Sequence, residues 1–220
     1  MDETAASTRA PGDRRAVPPG MATLFIGLVL LATGIALSIR AEIGVAPFDV
    51  VTTGIVSVTG IEIGIAAMLT PLAFIALSLV LGGRMRVGTL LSVVLVGPVL
   101  GLVLRVLPVP EAMAPRVGLF AVGFVVLAAG ITAVVVADVG PGPAELLMMT
   151  LHERGVAISP ARTAIEVVSV AVGWAMGGQV GAGTVIFALL IGPVLQRFLN
   201  LAGFSSRVAE VRSDCASPGA

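Results

Sequence analysis

The chain has 220 residues, of which 57% are hydrophobic and 12% charged, and its mean hydropathy is +1.07. A soluble domain is nearer one quarter charged, so 13 basic and 13 acidic side chains are too few to cover a water-facing surface. The two signs cancel and no basic stripe appears, which also excludes a nucleic-acid binder. What remains is an all-α, polytopic membrane protein in contact with the lipid bilayer.

In chain order, residues 1–20 carry Arg9, Arg14 and Arg15 among prolines and read as a polar cytoplasmic tail. No hydrophobic consensus directly follows Arg14-Arg15, and the apolar run 21–39 is long for a cleaved signal, so a retained first span is expected. Residues 47–59 (PFDVVTTGIVSVT) would make a helix of roughly 20 Å, too short for a hydrocarbon core of about 30 Å. Long spans follow at 63–83, 87–104 and 117–137. A second short helix is predicted at 143–153 (PAELLMMTLHE), roughly 16 Å long. The last apolar stretch divides at Gly177-Gly178-Gln179 and Gly181-Ala182-Gly183 into spans near 161–178 and 183–203. Residues 205–220 form a second polar tail, expected on the cytoplasmic side.

The membrane domain, 21–204, contains an internal repeat, 21–107 and 117–204. At an offset of 96 residues, Gly27, Gly34, Ala41, Gly44 and Pro47 meet Gly123, Gly130, Ala137, Gly140 and Pro143. Glu42 meets Asp138, and Asp49 meets Glu145. At an offset of 95, residues 82–100 overlay 177–195, down to a shared GPVL. If the short helices do not cross, each copy has three crossings and the second is inverted, the plan of many secondary transporters. If they cross, there are eight spans and the copies are parallel. Arginine asymmetry places both termini in the cytoplasm either way, and helix length favours six spans in the inner membrane.

Pro47 and Pro143 suit first helical positions, which puts Asp49 and Glu145 at the positive ends of the two short helices. Gly44 and Gly140 lie in the preceding stretches, where 40–46 is expected to run extended toward the midplane. Either the acids only start helices, or they line a solute path, since an acid at membrane depth is costly unless used. Arg162 and Glu166 stand four apart, facing one way on a helix, where the first repeat has Ala67, Thr70 and Pro71. They read as an interfacial pair or as part of an ion path. Gly97-Pro98 and Gly192-Pro193 are expected to serve packing or hinge bending, and the dense glycines of 177–183 to serve a turn. His152, Cys215 and Trp174 are each the only residue of their kind. With no metal-ligand spacing and no phosphate loop, neither a metal nor a cofactor is expected.

Four motifs together carry a resemblance: Ala41-x-x-Gly44-x-x-Pro47-x-Asp49 with its second copy ending in Glu145, Ser159-x-x-Arg162-x-x-x-Glu166, the GGxxGxGT run Gly177–Thr184, and Ile191-Gly192-Pro193. In these the chain, over about 20–204, resembles the YczE/YyaS/YitT family of bacterial membrane proteins. Phe48 stands where that family is expected to have tryptophan. The resemblance implies a polytopic protein of the cytoplasmic membrane, and links of some members to secondary-metabolite production fit movement of a small molecule. The expected function is therefore transport of a small neutral, zwitterionic or cationic solute, proton-coupled or not, by a protein that is not an enzyme and that self-associates or acts alone. The alternatives are a non-transporting accessory or scaffold, or the substrate-binding subunit of a larger transporter.

Overall fold

Apolar runs of this length become helices because a helix satisfies its own backbone polar groups where no water can. The computed structural model describes residues 20–202, apart from the side chains at 158 and 159. Its helices are α1 Met21–Ala41, α2 Pro47–Thr59, α3 Ile63–Val80, α4 Val87–Val106, α5 Met113–Ala137, α6 Pro143–Glu153, α7 Ile158–Ala175 and α8 Ala182–Leu201. Five of these, α1, α3, α4, α5 and α8, are long and apolar enough to cross a membrane. α7 matches α3 at 18 residues, but Arg162 and Glu166 lower its hydropathy. The chain is a polytopic helical membrane protein. The expected tails, Gly20 apart, and Cys215 lie outside the described residues.

The short helices α2 and α6 fill the predicted ranges. α5 and α7 instead begin at Met113 and Ile158, ahead of the predicted 117 and 161. For α5 the uncharged run stops at Arg116, whereas an arginine near a helix end reaches out along its apolar stem. Arg116 does so, pairing with Glu42 at 2.9 Å. α1 runs on to Ala41, so the non-helical stretch is 42–46 and not 40–46.

Helix directions follow from which residues meet. A Cβ on Gly34 would lie 2.5 Å from the Leu127 backbone nitrogen, one on Gly27 2.9 Å from that of Val134, and one on Gly130 2.5 Å from that of Leu31. Numbers rise along one helix as they fall along the other, so α1 and α5 cross antiparallel. α3 and α4 are also antiparallel, with Met68 against Gly97 and Glu62 paired to Arg105. The Gly20 N–H donates to the Ala137 carbonyl at 3.2 Å and Gly88 abuts Val139, so one face holds the starts of α1 and α4 and the end of α5. On the other face Arg40 donates to the Leu104 carbonyl, joining the ends of α1 and α4. α2 leaves that second face and returns to it at Glu62. α6 does the same on the first, where the Arg154 Nε donates to the Leu81 carbonyl at 3.0 Å. Six long helices thus alternate in direction.

The helices sort into two bundles. α1, α4, α5 and α8 enclose the main apolar core, which includes Leu28, Leu100, Phe124 and Phe187. α2, α3, α6 and α7 close a ring in which α2 and α6 each touch both α3 and α7.

The turns that lead into α2 and α6 are alike. Glu42 and Asp138 end α1 and α5 in the left-handed conformation, both at φ 53°, followed by Gly44 at φ 129° and Gly140 at φ 159°. A left-handed residue with a Cβ costs about 1 kcal/mol, and Asp138 is exposed. Asp138→Gly is therefore expected to raise the thermal unfolding midpoint in detergent. Gly140→Ala is expected to lower it, because its Cβ would lie 2.9 Å from that of Arg86 at an unfavourable φ.

Candidate functional site

Pro47 and Pro143 open α2 and α6, and Asp49 and Glu145 fall in their first turns. The two acids then meet different surroundings. Asp49 is 6% exposed, the one buried ionisable side chain among the described residues. Its carboxyl group makes no hydrogen bond or ion pair with any of them. Phe48 packs on Phe74 with centroids 4.8 Å apart, and the Thr52 hydroxyl donates to that of Thr70 at 2.9 Å. Phe74 lies at mid-helix in α3 and Thr70 one turn nearer its start. α2 therefore begins at depth and climbs back toward the face it left.

Glycine allows the close packing on the far side of α2. A Cβ on Gly173 of α7 would lie 2.5 Å from the Val50 carbonyl carbon, and one on Gly54 2.7 Å from the Gly173 oxygen. The glycines expected to make a turn do so and dock: the Gly183 N–H donates to the Ile43 carbonyl at 3.0 Å. At the matching place on the other face, the Thr89 hydroxyl donates to the Pro141 carbonyl at 2.6 Å. The start of α8 thus supports the turn before α2, and the start of α4 the turn before α6.

Glu145, by contrast, opens onto a cleft of about 50 Å³, lined by Ala144, Glu145 and Met148 of α6 and Arg162, Ile165 and Glu166 of α7. The Arg162 Nε donates to Glu166 Oε1 at 3.1 Å. The structure thus brings together three of the four expected path residues, while Asp49 does not line this cleft. At the matching positions of the first half stand Phe48, Thr52, Ala67, Thr70 and Pro71. A phenyl ring and a hydroxyl pair seal there what Ala144 and Met148 leave open.

A second inequality lies further out. α3 and α4 pack closely, with a Cβ on Gly64 reaching 2.9 Å from the Gly97 carbonyl oxygen. α7 and α8, at the matching places, share no comparable seam. Gln196 stands where the first half has Gly101, and a Cβ on Gly192, the counterpart of Gly97, would meet nothing within 4 Å. Gly97 thus lies in a close helix contact within the chain, and Gly192 faces open space. Pro98 and Pro193 lie inside α4 and α8. His152 makes only a local contact, its Nδ1 3.1 Å from the Val156 carbonyl oxygen.

Residues 19–200 match a family described as a family of unknown function, DUF6198. The chain belongs to that family. The chain is 31% identical over 179 residues to an uncharacterized protein of Haemophilus influenzae, covering 81% of this chain and 82% of that one. It is 29% identical over 175 residues to the uncharacterized membrane protein YczE of Bacillus subtilis, covering 78% and 81%. No solved structure matches the chain.

Sequence reasoning passed over Thr52, Thr53, Thr70 and Gln179. The three threonines looked like ordinary hydroxyls, which bond back to their own helix, and Thr70 does so at Ala66. A signal existed in Thr52 and Thr53, one turn from Asp49, and in the one amide among the turn glycines.

Proposed function

We propose that this protein moves a small solute across the membrane by alternating access and catalyses no reaction. One observation carries the reading: two matching half-helices are held in unequal states. The acid-bearing start of α2 is sealed, while that of α6 faces a cleft. In transporters of inverted-repeat design, the halves exchange such conformations and the site changes sides. The antiparallel crossing of α1 and α5, and the return of α2 and α6 to opposite faces, support inverted copies at 21–107 and 117–204. The parts that move are then the two bundles, each drawn from both copies.

In this reading Asp49, Glu145 and Glu166 form the polar path, with Arg162 as counter-charge. Acids at the positive ends of α2 and α6 offset the dipoles, which favours a neutral, zwitterionic or cationic solute and is compatible with proton coupling. Arg84, Arg86, Arg154, Arg162 and Arg197 belong to the face where α1 starts, and Arg40, Arg105 and Arg116 to the other. The positive-inside rule assigns the first face, and both termini, to the cytoplasm of a bacterial inner membrane.

The test is stopped-flow light scattering of proteoliposomes challenged with acetamide, urea, glycerol or alanine, beside uptake of labelled methylammonium. The expected result is flux above that of empty vesicles for at least one of these, slowed about tenfold or more, the scale of about 1.4 kcal/mol in barrier, by Asp49→Asn, Glu145→Gln or Glu166→Gln. Equal flux in the wild type and all three variants overturns the path.

A further inference from the structure

A cavity of about 230 Å³ lies at the face where α1 ends, opposite the Glu145 cleft. It is bounded by Ile39 of α1, Thr53, Val56 and Ser57 of α2, Ile63 of α3 and Gln179 of the α7–α8 turn. No charged side chain lines it. Gln179 is held firmly: its backbone N–H donates to the Thr53 hydroxyl oxygen at 2.9 Å, and its Nε2 to the Ile39 carbonyl at 3.3 Å. Those bonds fix the amide so that Oε1 is left over. It is shielded from solvent and has no hydrogen-bond partner among the described residues. A buried acceptor without a donor is unfavourable, and that cost is relieved when a donor arrives.

The rest of the wall fits one kind of guest. The Thr53 hydroxyl is already committed, 3.1 Å from the carbonyl oxygens of both Asp49 and Val50. The Ser57 hydroxyl has no partner among the described residues and is exposed at the rim. Ile39, Val56 and Ile63 supply apolar surface. The volume is below the roughly 300–1,000 Å³ of sites for drug-sized ligands. An ion would find no counter-charge here, and a purely apolar guest would leave Oε1 unmet.

We infer that this cavity is a binding site for a small uncharged molecule with a hydrogen-bond donor on a compact apolar body, such as a primary amide or an alcohol. The donor meets Gln179 Oε1, Ser57 supplies a second polar contact, and the body lies against Ile39, Val56 and Ile63. Only the purpose of the site, as the outer mouth of a solute path, rests on the proposed translocation. The binding itself does not.

The test is saturation-transfer NMR on the purified full-length protein in nanodiscs, with four probes that share one branched carbon skeleton. Isobutyramide carries N–H donors, N,N-dimethylisobutyramide carries none, isobutylammonium is a cation and isobutyrate an anion. Isobutyramide is expected to bind at least tenfold more tightly than the other three. Gln179→Leu removes the acceptor and is expected to weaken isobutyramide at least tenfold. Because that change also removes the bond to Ile39, Val56→Phe gives an independent check by filling the cavity from half-exposed α2, with the same expected loss. Equal binding of the two amides, preference for either ion, or unaltered binding in Val56→Phe overturns the site. Isobutyramide binding without flux in the liposome assay removes translocation and keeps the site, whereas flux without such binding does the reverse.

Discussion

Replacing Gly34 by alanine is expected to destabilise the protein by about 3 kcal/mol, the upper range for overpacking a rigid contact, and Gly34→Leu to prevent folding. Helices in lipid gain little from excluding water and associate through close packing of small residues. α1 and α5 form the centre of the main core, and at their crossing a new Cβ would lie 2.5 Å from the Leu127 backbone nitrogen and 2.7 Å from its Cα. Both obstacles are backbone, so no side-chain rotation relieves them. Gly130→Ala meets Leu31 in the same way, at 2.5 Å, and is expected to cost as much. Gly192→Ala is the control: open space surrounds it, and a helix gains about 1 kcal/mol from alanine over glycine. Thermal unfolding in detergent, followed by size-exclusion chromatography, separates these outcomes. A Gly34→Ala protein that melts with the wild type would mean that the crossing is looser than described.

These glycines also mark how far the sequence could be read. Gly27, Gly34, Gly123 and Gly130 showed a small face on each of two helices, and the repeat showed that the faces are equivalent. Neither said that Gly34 would meet Leu127, because partner and direction depend on the whole chain path. The short helices were legible to the residue, since Pro47 and Pro143 fix their starts while Gly60 and the polar His152-Glu153-Arg154 segment mark their ends. Arg116 hid the true start of α5, because a charge looks like an exit from the membrane until Glu42 is found beside it. The sealing of Asp49 was latent in the repeat. Phe48 against Ala144 and Thr52 against Met148 are differences between matching positions, but their effect appears only when α3 and α7 stand beside them. Gln179 was read as part of a turn, and nothing in a one-dimensional pattern reveals an acceptor left without a donor.

Two ion pairs on one face give the sharpest test of how the bundles move. Arg105 and Glu62, 2.7 Å apart, tie α4 of one bundle to α3 of the other. Arg116 and Glu42, 2.9 Å apart, tie α5 to α1 within one bundle. Both pairs are at least partly exposed, so each contributes little to stability, and cysteines are expected to be tolerated at all four places. Cys215→Ser provides a background without other thiols. Joining Glu62→Cys to Arg105→Cys with a short bis-maleimide is expected to arrest solute flux, because the α3–α4 seam must part when the α7–α8 side closes. Joining Glu42→Cys to Arg116→Cys is expected to leave flux within about twofold of the unlinked protein, a barrier change of only about 0.4 kcal/mol. The prediction does not rest on loss of charge, because each double variant is assayed before and after linking. If both links arrest flux, the bundle containing α1 and α5 deforms during transport, and rigid-body rocking is wrong. If neither does, the α3–α4 seam stays closed throughout the cycle, and the inequality between the two halves is a fixed property of the fold.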